Sequence, residues 1–299
     1  YMLTQVNTEE GRLPPNRGTL FALFMDFLLI DREKLDESEA PQVQHRLADL
    51  GFEMQKQGEG TTFEKSLALD FLMDDQTLYA ALSSSILTGK DDIRFTHQLL
   101  QEYFAAQRLD REMQGGTPAT QFFPPENWWE PTGWEETAIL LAGLYSDDCT
   151  PVINWLKTAQ PELAARCILE SGVTMPPDET LIDLQVYWIP YVTNLERNPQ
   201  VGARVAIGRA LGRLNLDKRR GVGLHDDGLP DIYWMLVPND GESSYKFGYH
   251  KPLSHFYIAR YPITYCQFQA FLDADDGFYD LRWWAGLTAD DKHKAAPDI

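Results

Sequence analysis

The sequence has few cysteines and no long apolar run, and each shortage excludes a class of protein. Its three cysteines, Cys149, Cys167 and Cys266, are widely spaced and form no C-x-x-C pair, so we expect neither a zinc ribbon nor a redox dithiol. We predict buried free thiols in a reducing compartment. The longest apolar stretch, residues 20–30, contains Asp26 and is too short to cross a bilayer, so we predict no membrane span.

Positive charge is also scarce. The chain has 26 Lys and Arg residues against 45 Asp and Glu residues, which gives a formal net charge of -19. Without a large basic surface, the protein cannot gain affinity by releasing counterions from a nucleic-acid backbone or by attraction to an anionic membrane. We therefore predict no direct contact with nucleic acid, whereas the acidic field can steer a basic partner.

The common catalytic and metal-binding motifs are missing. The sequence has no G-x-x-x-x-G-K-[ST] loop to hold a nucleoside triphosphate, and its six histidines show no H-x-x-x-H or H-E-x-x-H spacing. The acidic run at residues 273–277, DADDG, lacks the spaced carboxylates and the terminal glutamate of an EF-hand. We predict no catalytic residue and no metal site in this chain, and we do not predict that the chain is an enzyme by itself.

Two adjacent tryptophan pairs stand out among the aromatic residues: Trp128-Trp129 and Trp283-Trp284. Tryptophan combines a large apolar ring with one hydrogen-bond donor, so it suits both packing and ligand stacking. We predict that both pairs are packing anchors, and ligand-stacking platforms are the alternative.

Apolar residues recur at helical spacing over residues 1–115, where we predict a helical region. A breaker cluster at residues 14–18 precedes the first helix. Cap, proline and glycine signals predict further helices over residues 41–51, 62–71 and 75–87. A short strand at residues 93–95 then leads into a helix that Thr96 caps and that ends near Gly115.

The rest of the sequence divides into a helical region and a mixed region. Residues 116–220 contain helical stretches without a clean period, which predicts an irregular helical-repeat-like array over residues 135–144, 152–159, 162–171, 180–193 and 203–214. From residue 221 glycine and proline crowd together, and alternating apolar residues predict strands at 232–237, 245–248 and 256–259. Thr264 then caps a helix that we expect to bury Phe268, Phe271 and Leu272.

Residues 95–106, FTHQLLQEYFAA, resemble the winged-helix signature F-x-H-x-x-x-Q-E-[FY]-x-A-A, which follows the ATPase module in NACHT-type signalling NTPases of the STAND class. Residues 13–18, LPPNRG, resemble the segment that links that module to its winged helix. The resemblance implies that an ATPase core precedes residue 1 and that its nucleotide is ADP or ATP. It also implies a cytoplasmic protein that can oligomerise through the NTPase module.

His97 is the one candidate binding residue that this resemblance supplies. In the family, the matching histidine senses the phosphates of bound ADP and helps to hold the closed, inactive state. The residues are compatible with this role, because His97 falls in the first turn of a predicted helix, where free N–H groups and the helix dipole favour an anion. The alternative is a histidine tucked under the start of the helix.

Residues 221 to about 286 resemble the opening of the formylglycine-generating (sulfatase-modifying) enzyme family. The segments LPDIYWMLVP, FG, FYIARYPIT and QFQAF follow the order and spacing of the family pattern W-x-x-[IV]-P, F-x-x-G, F-x-[IL]-x-x-x-[PE]-[VI]-T-[NV]-x-x-[FY]-x-x-F. They depart from it at Tyr265, where Asn is usual, and in the loop before Phe247. The family has a C-type-lectin-like α+β fold. Its copper-binding cysteine pair and calcium loops belong to a later part of the domain, so Cys266, which we expect to be buried, matches no catalytic position.

We therefore expect a mainly α chain in three domains: a winged-helix and helical region (1–115), a helical-repeat-like region (116–220) and the first part of a formylglycine-generating-enzyme-like domain (221–299). This order implies the regulatory and sensor portion of a bacterial signalling NTPase, whose C-terminal domain recognises a small ligand or a protein partner. Two alternatives stay open: a sulfatase-modifying oxidase with a helical extension, and a lectin-fold ligand-binding protein with a diversified C-terminal surface.

Overall fold

The computed structural model describes residues 14, 16–33, 35–36, 38–58, 60–238 and 255–286. Over these residues the chain is mainly helical with two small antiparallel sheets, which confirms the predicted dominance of helix. The strand predicted at residues 245–248 lies outside them. No helix in this part of the chain is long and apolar enough to cross a membrane.

Two compact units make up the chain, Tyr1–Ala210 and Leu211–Ile299. This division does not test a boundary near residue 115, so the three predicted domains remain a prediction.

The first part of the N-terminal unit combines helices with a three-stranded sheet. Its elements are α1 (Arg17–Asp26), a π-helical segment (Phe27–Arg32), α2 (Glu39–Gln57), β1 (Phe63–Glu64), α3 (Lys65–Leu72), α4 (Asp75–Ser83), β2 (Leu87–Thr88), β3 (Asp92–Phe95) and α5 (Gln98–Gln114). The strands lie in the order β1-β3-β2, with Phe63 opposite Ile93 and Leu87 opposite Phe95. All four side chains are buried, and this burial specifies the register because a slip of one residue would expose them.

Helix α2 continues past Gly51, where the sequence predicted its end, and stops before Gly58 at φ 109°. Gly51 lies in the contact between α2 and α5. A Cβ at Gly51 would lie 3.0 Å from the carbonyl oxygen of Gln101 and 3.0 Å from the Cβ of Phe104. Glycine is therefore present for close helix packing, and its usual meaning as a helix stop does not apply.

Two other boundaries differ from the predictions. The helix predicted over residues 75–87 ends at Ser83, because Leu87 joins β2 and is buried there. Its N-cap is Asp74, whose carboxylate accepts a first-turn backbone N–H at 2.6 Å. Thr62 does not cap α3, since β1 lies between them.

The next helices form an array of α6 (Glu135–Leu144), α7 (Thr150–Leu156), α8 (Pro161–Glu170), α9 (Asp178–Thr193) and α10 (Val201–Arg213). The predicted helical stretches agree with these bounds to within three residues. Helix α6 packs against α1, α5 and α8. Its residues 138–142 are all buried, so α6 is surrounded on every side and forms the centre of the N-terminal unit.

In the C-terminal unit, strand β4 (Trp234–Val237) pairs antiparallel with β5 (Phe256–Ala259), and α11 (Tyr265–Asp273) and a 3-10 turn (Leu281–Trp284) follow. Thr264 caps α11 as predicted, in a capping box with Gln267. The unit therefore combines a small sheet with a capped helix over the residues that the structure describes.

The predicted buried face of α11 is wrong. Phe268 is 45% exposed, and the other predicted core residues, Phe271 and Leu272, are half-buried. Gln267 is the buried residue, because its Nε2 donates to the carbonyl oxygens of Asp231 at 2.6 Å and Gly223 at 3.2 Å. Two backbone acceptors thus set the rotation of this helix, which its apolar pattern does not reveal.

Helices α1 and α6 approach each other through Gly18 and Gly143, and this contact is testable. A Cβ on Gly18 would lie 2.4 Å from the carbonyl carbon of Gly143, so the backbone has to move to accept it. We expect Gly18→Ala to lower the free energy of unfolding by about 1–3 kcal/mol, measured by urea denaturation.

Gly208→Ala is the matched control. Gly208 lies within α10, and an added Cβ would meet no other atom within 4 Å. Alanine should therefore leave stability unchanged or raise it by up to about 1 kcal/mol, because it has the higher helix propensity. Equal effects of the two substitutions would contradict the close approach of α1 and α6.

Candidate functional site

His97 stands at the start of α5, as the N-cap residue in place of the predicted Thr96. Its backbone is extended (φ -136°, ψ 141°), and its carbonyl oxygen accepts the N–H of Leu100 at 3.0 Å. Its side chain is exposed and makes no capping hydrogen bond. This exposure does not agree with the alternative of a histidine tucked under the helix start.

The surroundings of His97 can hold one anionic group. The N–H of Leu100 already donates to the carbonyl oxygen of His97, so the backbone N–H groups that an anion could use are those of Gln98 and Leu99, beside the positive end of the helix dipole. The side chain of Gln98 is engaged elsewhere, since it accepts from the N–H of Gly60 at 3.2 Å and donates to Glu102 at 3.3 Å. The imidazole and the first-turn N–H groups are therefore donors available to a phosphate or carboxylate oxygen.

The following residues of the signature are part of the protein core. Gln101 donates to the side chain of Gln55 at 2.8 Å, and Gln55 donates to the carbonyl oxygen of Gly133 at 2.7 Å, which links α5, α2 and the loop before α6. Tyr103 stacks on Phe21 with ring centroids 5.3 Å apart, and burial raises the pKa of the Tyr103 hydroxyl. The signature thus contains residues that pack in the core as well as the candidate binding residue His97.

A charged groove over α2 is a feature that the sequence analysis missed. It encloses about 600 Å³, and in it Asp49 accepts from Arg108 at 3.3 Å and from Arg111 at 2.8 Å. Its charged lining includes equal numbers of arginines and carboxylates: Arg46, Arg108, Arg111, Asp49, Glu53 and Asp70. We interpret it as an ion-pair network between α2 and α5. Asp49 and Arg111 are 62 positions apart, so no local sequence signal joins them.

The cysteines divide into two classes. Cys149 and Cys167 are buried as predicted, and burial raises the pKa of Cys149 to about 11 and that of Cys167 well above its usual value. Cys266 is only half-buried, contrary to expectation, because it lies beside Thr264 at the exposed start of α11, with Sγ 3.3 Å from the threonine hydroxyl. Within the described residues, no group of three His, Cys, Asp or Glu side chains is arranged to hold a metal ion.

The chain shows no significant match to any model of a protein family, any curated protein or any solved structure. No family membership is therefore assigned, and the functional conclusion rests on the residues and their geometry.

The bridge between Gln55 and Gln101 predicts a measurable loss of stability. Gln101→Leu leaves the side-chain oxygen of Gln55 buried without its donor, which should lower the free energy of unfolding by about 1–3 kcal/mol. Gln114→Leu, at an exposed position of the same helix, should change it by less than about 0.5 kcal/mol. Similar urea midpoints for the two variants would show that the buried bridge contributes nothing.

Thiol reactivity provides a test of the cysteine environments. Because Cys149 and Cys167 are buried with raised pKa values, their thiolate fraction is low, and Cys266 should react first with a disulfide reagent at pH 8. We expect one fast-reacting thiol in the native protein and three in urea, with the fast phase lost in Cys266→Ser. Equal rates for all three thiols in the native protein would contradict the described burial.

Proposed function

We propose that the chain is the regulatory and sensor portion of a NACHT-type signalling NTPase. In this proposal the region that contains α2 to α5 is a winged helix that contacts ADP. The C-terminal unit recognises a small ligand or a protein partner through a formylglycine-generating-enzyme-like, C-type-lectin-like fold. The protein acts in the cytoplasm and oligomerises through its NTPase module.

The order of elements supports the winged-helix part of the proposal. Helices α3 and α4 are separated only by Met73 and Asp74, as in a helix-turn-helix pair. The antiparallel strands β2 and β3 follow, with a tight turn at Gly89, where an added Cβ would lie 1.8 Å from the carbonyl oxygen of Asp92. A helix pair with an adjoining two-stranded wing is the arrangement that gives the winged helix its name.

The exposure of His97 is the observation that carries the nucleotide-sensing part. Of the residues that define the signature, His97 is exposed, and the others are buried: Phe95, Gln101, Glu102, Tyr103, Ala105 and Ala106. Packing therefore accounts for the buried set but gives no reason for an imidazole at the positive end of α5. A ligand with a negative charge gives that reason.

ADP fits this position through one of its phosphates. An imidazole and first-turn N–H groups are suitable donors to phosphate oxygens. The chain contains no G-x-x-x-x-G-K-[ST] loop, so in this proposal the NTPase module supplies the remaining contacts to the nucleotide.

Exposed aromatic residues support a recognition role for the C-terminal unit. Trp234, Tyr257, Tyr265 and Trp283 are between 56% and 77% exposed, and tyrosine and tryptophan are enriched at interaction surfaces. Cys266 contacts Thr264 and the carbonyl oxygen of Val222. These contacts give no specific support to the oxidase alternative, so we retain recognition as the proposed role.

The test is to measure ADP bound to the full-length protein that contains this chain. His97→Ala removes one hydrogen bond to a charged phosphate, a loss of about 1.5–3 kcal/mol, so the dissociation constant for ADP should rise by roughly 10- to 100-fold. Basal activity should rise as well, because the closed state loses a contact.

His255→Ala is the control, since His255 is also exposed and lies in the other unit. Thermal unfolding should be unchanged in both variants, because neither imidazole has a hydrogen bond in the described part of the chain. Unchanged ADP affinity and unchanged basal activity in His97→Ala would refute phosphate sensing by this residue.

A further inference from the structure

An aromatic pocket in the helical array has no role in the proposed function. The pocket has a volume of about 130 Å³ and is lined by side chains from the loop before α6, from α9 and from the loop after α9. Trp128, Tyr187 and Tyr191 line it and are all half-buried. Trp128 belongs to one of the two tryptophan pairs that we predict to be packing anchors, with ligand stacking as the alternative.

The rings of the pocket are held in place by their neighbours. Tyr187 and Tyr191 lie one turn apart on α9, with ring centroids 5.3 Å apart and ring planes at 38°. Trp188, between them, is fully buried and donates its indole N–H to the carbonyl oxygen of Lys157 at 2.8 Å. The pocket is therefore largely formed before any ligand binds.

A cationic side chain of the protein already lies over one of these rings. The guanidinium carbon of Arg197 lies 4.4 Å from the centroid of the Tyr191 ring. The backbone at Arg197 is held in place, because the side chain of Asn194 accepts the backbone N–H groups of Glu196 and Arg197 at 2.9 Å and 3.0 Å. Arg197 itself is exposed, and its Nη2 donates to the Tyr191 hydroxyl at 3.4 Å, so its side chain leaves the ring at the cost of one long hydrogen bond at the surface.

The lining selects among cations. It contains aromatic rings but no Asp or Glu side chain, so an ammonium that carries N–H donors would exchange its water only for neutral acceptors such as the tyrosine hydroxyls. A trimethylammonium group has no N–H donors, and aromatic faces attract it through cation–π interaction. The volume is below the roughly 300–1,000 Å³ of sites that enclose a whole drug-sized molecule, so it suits one head group. The net charge of -19 attracts cations to the protein.

We propose that this pocket binds a trimethylammonium group between Trp128, Tyr187 and Tyr191, and that Arg197 covers the Tyr191 ring until the ligand displaces it. The ligand is a small quaternary amine or a trimethylated lysine side chain, which share this head group. The site is independent of His97, so the proposal stands or fails separately from nucleotide sensing.

The test titrates the chain with choline and with 3,3-dimethylbutanol, its uncharged isostere, and follows the chemical shifts of the pocket residues by NMR. We expect choline to bind with a roughly millimolar dissociation constant and the isostere to bind about 10-fold more weakly or not at all. A parallel titration with trimethyllysine shows whether the pocket prefers a small quaternary amine or a trimethylated lysine side chain, since the preferred class should bind more tightly.

Three variants separate cation–π binding from simple burial. Tyr191→Leu should weaken choline binding by about 10-fold, because it removes a ring, while Tyr191→Phe keeps the ring and should retain it. Arg197→Ala removes a competing cation and should tighten binding by about 3-fold or more. Tyr79→Leu, at an exposed tyrosine of α4, controls for a general loss of aromatic surface and should have no effect.

The proposal is overturned if choline and its isostere bind equally, or if Arg197→Ala weakens choline binding. It is also overturned if neither the wild-type chain nor Arg197→Ala shows saturable binding. Binding to Arg197→Ala alone supports the proposal, because it shows that the guanidinium blocks the pocket. Thermal unfolding of each variant confirms that a loss of binding is not a loss of fold.

Discussion

The packing of α2 against α5 is the contact on which much of the N-terminal unit depends. It is close because Gly51 has no side chain, and an added Cβ would lie 3.0 Å from the neighbouring helix. It is directional because the side chain of Gln101 on α5 donates to that of Gln55 on α2. A buried amide pair of this kind is costly to break, since each group has left water. The contact therefore sets both the distance between the two helices and their rotation.

Other parts of the unit are joined to this helix pair. Gln55 also donates to the carbonyl oxygen of Gly133, just before α6, and α6 is buried on all sides. In the same half of α5, Phe104 packs against Phe95 of β3 with ring centroids 5.7 Å apart, which ties the sheet to the same helix. The start of α5, where His97 lies, is thus presented by a rigid support even though the histidine itself is exposed.

His97 and the aromatic pocket differ in how far the sequence marks them. His97 entered through a sequence signature, and the structure adds its exposure and its place at the positive end of a helix. The aromatic pocket has no signature, because Trp128 and Tyr187 are far apart in the chain and meet only when the helices pack. Its meaning depends on Arg197, whose guanidinium lies over the Tyr191 ring. A single arginine in a loop does not by itself predict such a cation–π contact.

Local chemistry in the sequence determined most of the helices, the strands at residues 93–95 and 256–259, and the cap at Thr264. Periodicity, breakers and caps act over a few residues, so one sequence is enough to read them. Tertiary structure decided why α2 passes through Gly51, why Gln267 is buried in place of Phe268, and how Asp49 meets Arg111. In each case the deciding partner lies more than 30 residues away, and steric fit or hydrogen-bond satisfaction at that distance overrides the local preference.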